Sequence, residues 1–121
     1  LGKSLSTSPT IINETDIAAI EQNCWTAMKN VYDPEIPVNI VDLGLIYACE
    51  VTAMAHGEHQ VRIKMTLTAP GCGMGPVLQN DVRNALLDLP HIAEVSVEIV
   101  LDPPWAREMM SEVAQIQLGL I

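Results

Sequence analysis

A glycine-rich turn around Cys72 constrains the fold more than any other stretch of this chain. It stands between a run of alternating apolar and polar residues and a helical pattern, and Gly71, Gly73 and Gly75 surround its sulfur. Glycine permits backbone angles that other residues rarely adopt, and Pro76 suits the first position of a helix, where its missing N–H is not needed. We therefore expect Cys72 to lie near a helix N-terminus.

This expected position gives the Cys72 thiol a definite chemistry. The first turn of a helix leaves N–H groups unpaired and carries about half a positive charge, which favours an anion such as a thiolate. The thiolate is the form of cysteine that acts as a nucleophile and as a metal ligand. The alternative is a tight structural turn in which Cys72 is only a small residue.

Hydrophobic periodicity on both sides of the turn predicts a two-layer α+β domain. The alternating run before the turn follows a strand-like run and a short connection, which favours an antiparallel hairpin. A helix and another alternating run come after the turn, and a right-handed crossover makes that strand parallel to its predecessor. The order is α-β-β-α-β-α, with a mixed three-stranded sheet and helices on one face. The expected elements are helix 16–30, strands 45–54 and 61–68, helix 76–89, strand 92–101 and helix 106–118.

Periodicity also assigns individual side chains to faces. Cys24 falls on the buried stripe of the first helix, for which Thr15 or Asn13 is the expected cap. In the second helix, Val77 widens the apolar stripe that faces the core. In the third strand, Leu101 is the last of the residues that face inward. A short final helix follows this strand, and no internal repeat is visible.

The segment at 33–46 is expected to be an extended loop, because prolines at 34 and 37 exclude a helix. Asp33 and Glu35 are polar groups within this rigid apolar segment. Each is either a turn or cap former or part of the edge of a site. The residues expected to wrap the loop over the core are Ile36, Val38, Ile40 and Val41.

Length and charge limit the classes of function. The 121 residues are one domain by size, with 1–12 as a flexible lead-in and 13–121 as the folded part, and the start at Leu1 fits a fragment of a longer protein. Lys plus Arg number 6 against 15 Asp plus Glu, a net charge of −9. Nucleic acids and anionic membranes are bound chiefly through clustered positive charge, so neither is an expected partner. No apolar run approaches the roughly 18 residues that span a bilayer.

Cysteine and histidine usage limits the kinds of metal site. Cys24, Cys49 and Cys72 are an odd number without a CxxC pair, which favours a reducing, cytoplasmic setting over a disulfide framework. His56 and His59 are expected to be solvated residues of the hairpin turn rather than a metal pair. A metal centre at Cys72 would need further ligands from a second subunit, a partner, a small thiol or oxygen atoms of this chain.

Three segments of the chain resemble one known family. They are DPEIPVNIVDLGLIY at 33–47, MTLTAPGCGMG at 65–75, and DPPW followed by MMSE and LGL near the C-terminus. Together they resemble the SufT-type proteins of iron-sulfur cluster assembly, which belong to the FSCA-like domain group and are related to the PaaD-type proteins. The resemblance covers about residues 16–121. One departure is Ala106-Arg107, where the resemblance leads us to expect a hydroxyl or amide residue that caps the last helix.

The resemblance implies a maturation factor that carries iron-sulfur clusters or helps insert them into apo-proteins. Cys72 matches the reactive cysteine of the family, with a transient iron-sulfur cluster or iron as its cargo. Its implied partners are iron-sulfur assembly proteins and apo-protein clients, with a homodimer as a means of bridging one cluster between two thiolates. The implied site residues are Cys72, Gly71, Gly73 and Thr68, with Asp33 and Glu35 as candidate further metal ligands and Thr66, Asn39, Asp42 and Trp105 matching other motif positions.

Two other hypotheses compete with the cluster carrier. One is a metal-free adaptor that docks targets onto the iron-sulfur assembly machinery through its acidic face and apolar loop. The other is a thiol enzyme, but no histidine is adjacent to the turn and His91 lies beyond the next helix. The expectation is therefore a protein that is not an enzyme.

Overall fold

The helices and strands follow the expected order. The computed structural model describes residues 16–33, 36–68, 73 and 75–120. The lead-in at 1–12 lies outside these residues, so the expected domain boundary stays a prediction. The elements are α1 (Ile17–Met28), β1 (Ile46–Ala53), β2 (His59–Met65), α2 (Gly75–Leu87), β3 (Ile92–Ile99) and α3 (Glu112–Gln117).

The sheet is mixed and has the strand order β1-β2-β3. Cys49 of β1 lies opposite Ile63 of β2 in the antiparallel pair, and Ile63 lies beside Val97 of β3 in the parallel pair. The hairpin and the parallel crossover are thus both confirmed. The helices α1 and α2 pack against the sheet and against each other, while Arg62 and Lys64 on β2 are exposed. Among the described residues, no helix is both long and apolar enough to cross a bilayer.

The first helix begins one residue later than expected, with its own cap. The Asp16 carboxylate accepts a hydrogen bond of 3.0 Å from the Ala18 N–H, as an N-cap residue does. Thr15 and Asn13, the expected caps, lie outside the described residues. The prediction that Cys24 belongs to the core is confirmed, because its side chain is fully buried.

Three predictions about the faces of elements are wrong. Val77 is 48% exposed, because only the side chains one helical turn apart, Leu78, Val82 and Leu86, face the core. Leu101 is 54% exposed, because β3 ends two residues earlier. His59 is buried rather than solvated.

The two histidines of the hairpin therefore differ in their exposure to solvent. His56 has a φ of 62° inside the 3-10 turn at Ala55–Gly57 and is exposed, as expected. His59 already belongs to β2, and its Nδ1 lies 3.1 Å from the carbonyl oxygen of His91. A buried ring with a backbone partner has a structural role, which the apolar alternation of β2 extended by one step would have predicted.

The prediction of one continuous C-terminal helix at 106–118 is also wrong. The chain forms a 3-10 turn at Arg107–Met109, becomes extended at Met110, and starts α3 only at Glu112. The Ser111 hydroxyl caps α3 by accepting a hydrogen bond of 3.1 Å from the Ala114 N–H. The extended step turns the Met110 side chain into the core, which a continuous helix would not do.

The segment after Asp33 is the expected apolar loop over the core. Val38, Ile40 and Leu43 are buried. The loop is held by its own polar groups: the Asn39 amide donates to the Asp42 carboxylate at 2.7 Å, and the Asp42 N–H donates to the Asn39 side chain at 2.9 Å. These two motif residues are thus occupied with turn formation.

Gly44 lets this loop pass against the C-terminal segment. Its φ is +80°, and a Cβ atom there would overlap the carbonyl oxygen of Met109. Two residues earlier, the Asp42 carbonyl accepts a hydrogen bond of 2.7 Å from the Ser111 N–H. The loop and the C-terminal segment are therefore in backbone contact at a position where only glycine fits.

We expect Gly44→Ala to lower the free energy of unfolding by about 2–5 kcal/mol, the sum of left-handed strain and overlap. Gly57→Ala is the matched control, since Gly57 has a φ of +76° but a Cβ atom there would meet no other atom within 4 Å. This control should lose only about 1–2 kcal/mol. Urea unfolding of the two variants measures the difference. Equal losses would show that the contact with Met109 carries no constraint.

Candidate functional site

A cavity of about 490 Å³ lies where three distant segments of the chain meet. One wall comes from the loop after Asp33, one from the chain just beyond β2, and one from the C-terminal segment. Each segment belongs to one of the three motifs found in the sequence. The described lining residues are Ile36, Pro37, Thr68, Trp105, Arg107, Met110, Leu118 and Leu120.

Trp105 fixes the C-terminal wall of the cavity. Its indole N–H donates a hydrogen bond of 2.6 Å to the carbonyl oxygen of Leu43, which is fully buried. A second long-range bond joins the same segments, because the Tyr47 hydroxyl donates to the Pro103 carbonyl at 2.8 Å. The ring of Trp105 thus satisfies a buried backbone acceptor while its apolar surface lines the cavity.

The Cys72 turn leaves the sheet beside this cavity. Thr66 is buried, and its N–H donates to the carbonyl of Leu45 at 2.8 Å. Thr68 is half-buried and lines the cavity. Cys72 follows Thr68 by four residues in the sequence. The hydroxyl residues of the second motif therefore divide into one that packs in the core and one that faces the cavity.

The far side of the turn shows why glycine is used there. Gly73 is exposed with a φ of +81°, the left-handed region that favours glycine. Gly75 opens α2, and a Cβ atom there would lie 3.4 Å from the Leu67 side chain. Leu67 and Gly75 thus bring the two ends of the turn close together.

Several predicted site residues lie outside the described part of the chain. Cys72, Gly71 and Glu35 belong to this group, so their roles stay predictions. Asp33 is described and is buried, and its carboxylate accepts a hydrogen bond of 3.1 Å from the Ile36 N–H. This bond gives Asp33 the turn-forming role considered for it, and a role as metal ligand stays a prediction.

No group of three or more metal-ligating side chains is formed within 16–33, 36–68, 73 and 75–120. The two cysteines in these ranges, Cys24 and Cys49, lie in the layer between α1 and β1 rather than at the cavity. A set of three or more such ligands at the cavity would therefore have to include a residue beyond these ranges or a group from another molecule. The need of Cys72 for further ligands stays a prediction.

Sequence reasoning missed Arg107 and Leu118 as cavity residues. A continuous helix at 106–118 would have placed them differently, whereas the extended step before α3 brings both to the cavity. The signal was present in the sequence: Ser111 followed by the acidic Glu112 is typical of a helix start. Arg107 supplies a positive charge to a wall that is otherwise mostly apolar.

Comparison with known proteins agrees with the motifs. Residues 21–99 match the family model described as "Iron-sulfur cluster assembly protein". The chain is 40% identical over 102 residues to the Fe-S protein maturation auxiliary factor YitW of Bacillus subtilis, covering 84% of this chain and 96% of that protein. It is 42% identical over 90 residues to the Fe-S protein maturation auxiliary factor SufT of Staphylococcus aureus, covering 74% and 98%.

A solved structure shares the fold as well. The crystal structure of the domain of unknown function DUF59 from Bacillus anthracis matches with a TM-score of 0.74 and 37% identity, over 90% of this chain and 100% of that chain. The α+β fold and the resemblance to SufT-type proteins are both confirmed.

We expect Trp105→Phe to lower the free energy of unfolding by about 1–3 kcal/mol, because the Leu43 carbonyl would be left buried without its partner. Trp25→Phe is the matched control: the Trp25 indole donates to the Glu21 carboxylate at 3.3 Å near the surface, and its loss should cost about 0.5 kcal/mol. Chemical denaturation of both variants tests the difference. Similar losses would mean that ring size, and not the bond to Leu43, determines the effect.

Proposed function

The chain belongs to the iron-sulfur cluster assembly protein family, and we propose that it acts in iron-sulfur protein maturation by holding a transient cluster or iron ion through Cys72. The bound group is cargo, which the protein takes from the assembly machinery and passes to an apo-protein. The cargo keeps its oxidation state and the protein is returned unchanged, so this role is that of a carrier rather than an enzyme.

The observation that carries this proposal is the meeting of all three motif segments at one cavity. Segments at 36–37, 68 and 105–120 line it, although nothing in a small α+β core requires them to do so. Thr68 places the start of the Cys72 turn in the same wall. A shared cavity beside a glycine-rich turn with one thiol is what a ligand-binding role for these motifs needs.

The chemistry of the site suits transfer rather than permanent storage. A single cysteine supplies one thiolate, which holds a cluster weakly enough to release it when a client offers more thiolates. Arg107 gives the cavity wall a positive charge, which would favour the thiolate form of a cysteine bound there.

The remaining ligands would come from other molecules. A second copy of the chain would supply a second thiolate, and an assembly protein or an apo-protein client would replace it during transfer. Asp33 and Glu35 would act as outer-shell or additional oxygen ligands. The acidic character of the chain, with a net charge of −9, favours basic surfaces on these partners.

A metal-free adaptor is the second candidate, and exposed apolar side chains on α3 favour it. Val113 is 64% exposed, Ile116 is 58% exposed, and both stand on the same element near the cavity residue Leu120. Exposed apolar side chains of this size suit the core of a protein interface. In this role the protein would bring client and machinery together without holding iron.

We expect purified protein, reconstituted anaerobically with ferrous iron and sulfide, to gain both elements and thiolate-to-iron absorption, and Cys72→Ala to lose most of each. Cys49→Ala is the control, since Cys49 is a free half-buried thiol on β1 away from the cavity. It should retain the wild-type iron and sulfide content.

Either of two results would contradict the carrier role: wild type and Cys72→Ala that both stay colourless, or equal loading of the two. The adaptor role would then predict that Val113→Ser with Ile116→Ser weakens binding to an apo-protein client, while Cys72→Ala does not. Calorimetric titration of the client into each variant measures this. The carrier role predicts instead that Cys72→Ala reduces the transfer of iron to that client more than Val113→Ser with Ile116→Ser does.

A further inference from the structure

Two cysteines, Cys24 and Cys49, lie between α1 and β1, away from the cavity. Cys24 is fully buried on the core stripe of α1, and Cys49 on β1 lies opposite Ile63, which is 1% exposed on the helix-covered face of the sheet. Because α1 packs against β1, the two cysteines face each other across one layer of the core. Neither takes part in a disulfide bond.

The two thiols lie within interaction range of each other, because each shifts the pKa of the other. The Cys49 thiol donates to Cys24, which lowers the pKa of Cys24 although burial and the Glu21 carboxylate oppose this. The same hydrogen bond, together with burial and the negative charges of Cys24 and Glu21, raises the pKa of Cys49 well above its usual range. The interaction therefore favours the thiolate form at Cys24 rather than at Cys49.

Access to the pair is one-sided. Cys49 is only half-buried, and β1 is an edge strand of the sheet. Cys24 is 0% exposed. A small oxidant would therefore approach the pair from the side of Cys49.

We propose that Cys24 and Cys49 form a redox modification site, in which hydrogen peroxide converts the facing thiols into an intramolecular disulfide. The inference rests on the position and burial of the two cysteines and is independent of any role in carrying iron. A disulfide needs two cysteines on elements that pack closely together, and Cys24 and Cys49 lie on a helix and a strand that pack against each other.

The reaction balances with one peroxide. The Cys24 sulfur attacks one peroxide oxygen, the O–O bond breaks, and the departing hydroxide takes the thiol proton as water, which leaves a sulfenic acid on Cys24. The Cys49 sulfur then attacks the Cys24 sulfur, the S–S bond forms, and the S–O bond breaks. The hydroxide leaves with the Cys49 proton as a second water. The two sulfurs lose two electrons, and the peroxide is reduced to two waters.

The disulfide would close a chain segment that carries one wall of the cavity. The chain between Cys24 and Cys49 includes Ile36 and Pro37, which line the cavity. A covalent link at both ends of this segment restricts its motion relative to the sheet. Oxidation at the core would thus stiffen the candidate site without touching it.

The test uses iron-free protein that carries Cys72→Ser, so that only the two core thiols remain. Peroxide treatment of the folded protein should lower the intact mass by about 2 Da and reduce the free thiols from two to none, with reversal by dithiothreitol. Trypsin cleaves after Lys29 and Arg62, which separates the two cysteines. Non-reducing digestion should therefore yield the peptides 4–29 and 30–62 as one cross-linked species.

Single-cysteine variants and an unfolded sample complete the test. Cys24→Ala and Cys49→Ala in the same background should show no loss of about 2 Da. In guanidinium chloride, Cys24 and Cys49 of the Cys72→Ser protein should form the disulfide several-fold more slowly, because the fold no longer holds the two cysteines near each other. The proposal fails if both thiols survive, if one cysteine goes on to the sulfinic acid while the other stays reduced, or if the unfolded chain forms the link equally fast.

Discussion

The contact between the loop at 36–46 and the C-terminal segment is the constraint on which the rest of the site depends. The Trp105 indole donates to the buried Leu43 carbonyl, and the Ser111 N–H donates to the Asp42 carbonyl. Between these bonds Gly44 passes against the backbone of Met109. Two segments that are distant in the sequence are thereby fixed side by side, and the cavity is the space left between them and Thr68.

The mixed sheet determines where the Cys72 turn enters this arrangement. Because β3 runs parallel to β2, the chain must cross over through α2, and the turn between β2 and α2 falls at the end of the sheet where the loop and the C-terminal segment meet. Leu67 and Gly75 bring the ends of that turn together. The family's glycine-rich motif is thus a connection that the topology requires, and its described residue Thr68 lines the cavity together with residues of the other two motifs.

The two groups of thiols in this chain have different surroundings. Cys24 and Cys49 lie within an apolar layer and shift each other's pKa. Cys72 belongs to a glycine-rich connection that starts beside a half-buried hydroxyl in the cavity wall. A small α+β domain can therefore separate a proposed redox pair from a proposed metal-binding thiol, because the two cysteines of the pair lie between α1 and β1 and the turn lies beyond β2.

The order of elements, the hairpin, the parallel crossover and the core position of Cys24 could be predicted from the sequence, because each follows from local periodicity or chain connectivity. The glycine-rich turn also predicted unusual backbone angles, and Gly73 does adopt a left-handed φ. It failed at Leu101, His59 and the C-terminal helix, where the burial of a side chain depends on where an element ends. The position of Arg107 and Leu118 in one cavity with Thr68 could be read only from the three-dimensional fold. The same holds for the proximity of Cys24 and Cys49. In both cases the residues belong to segments whose spacing in the sequence carries no information about their distance in space.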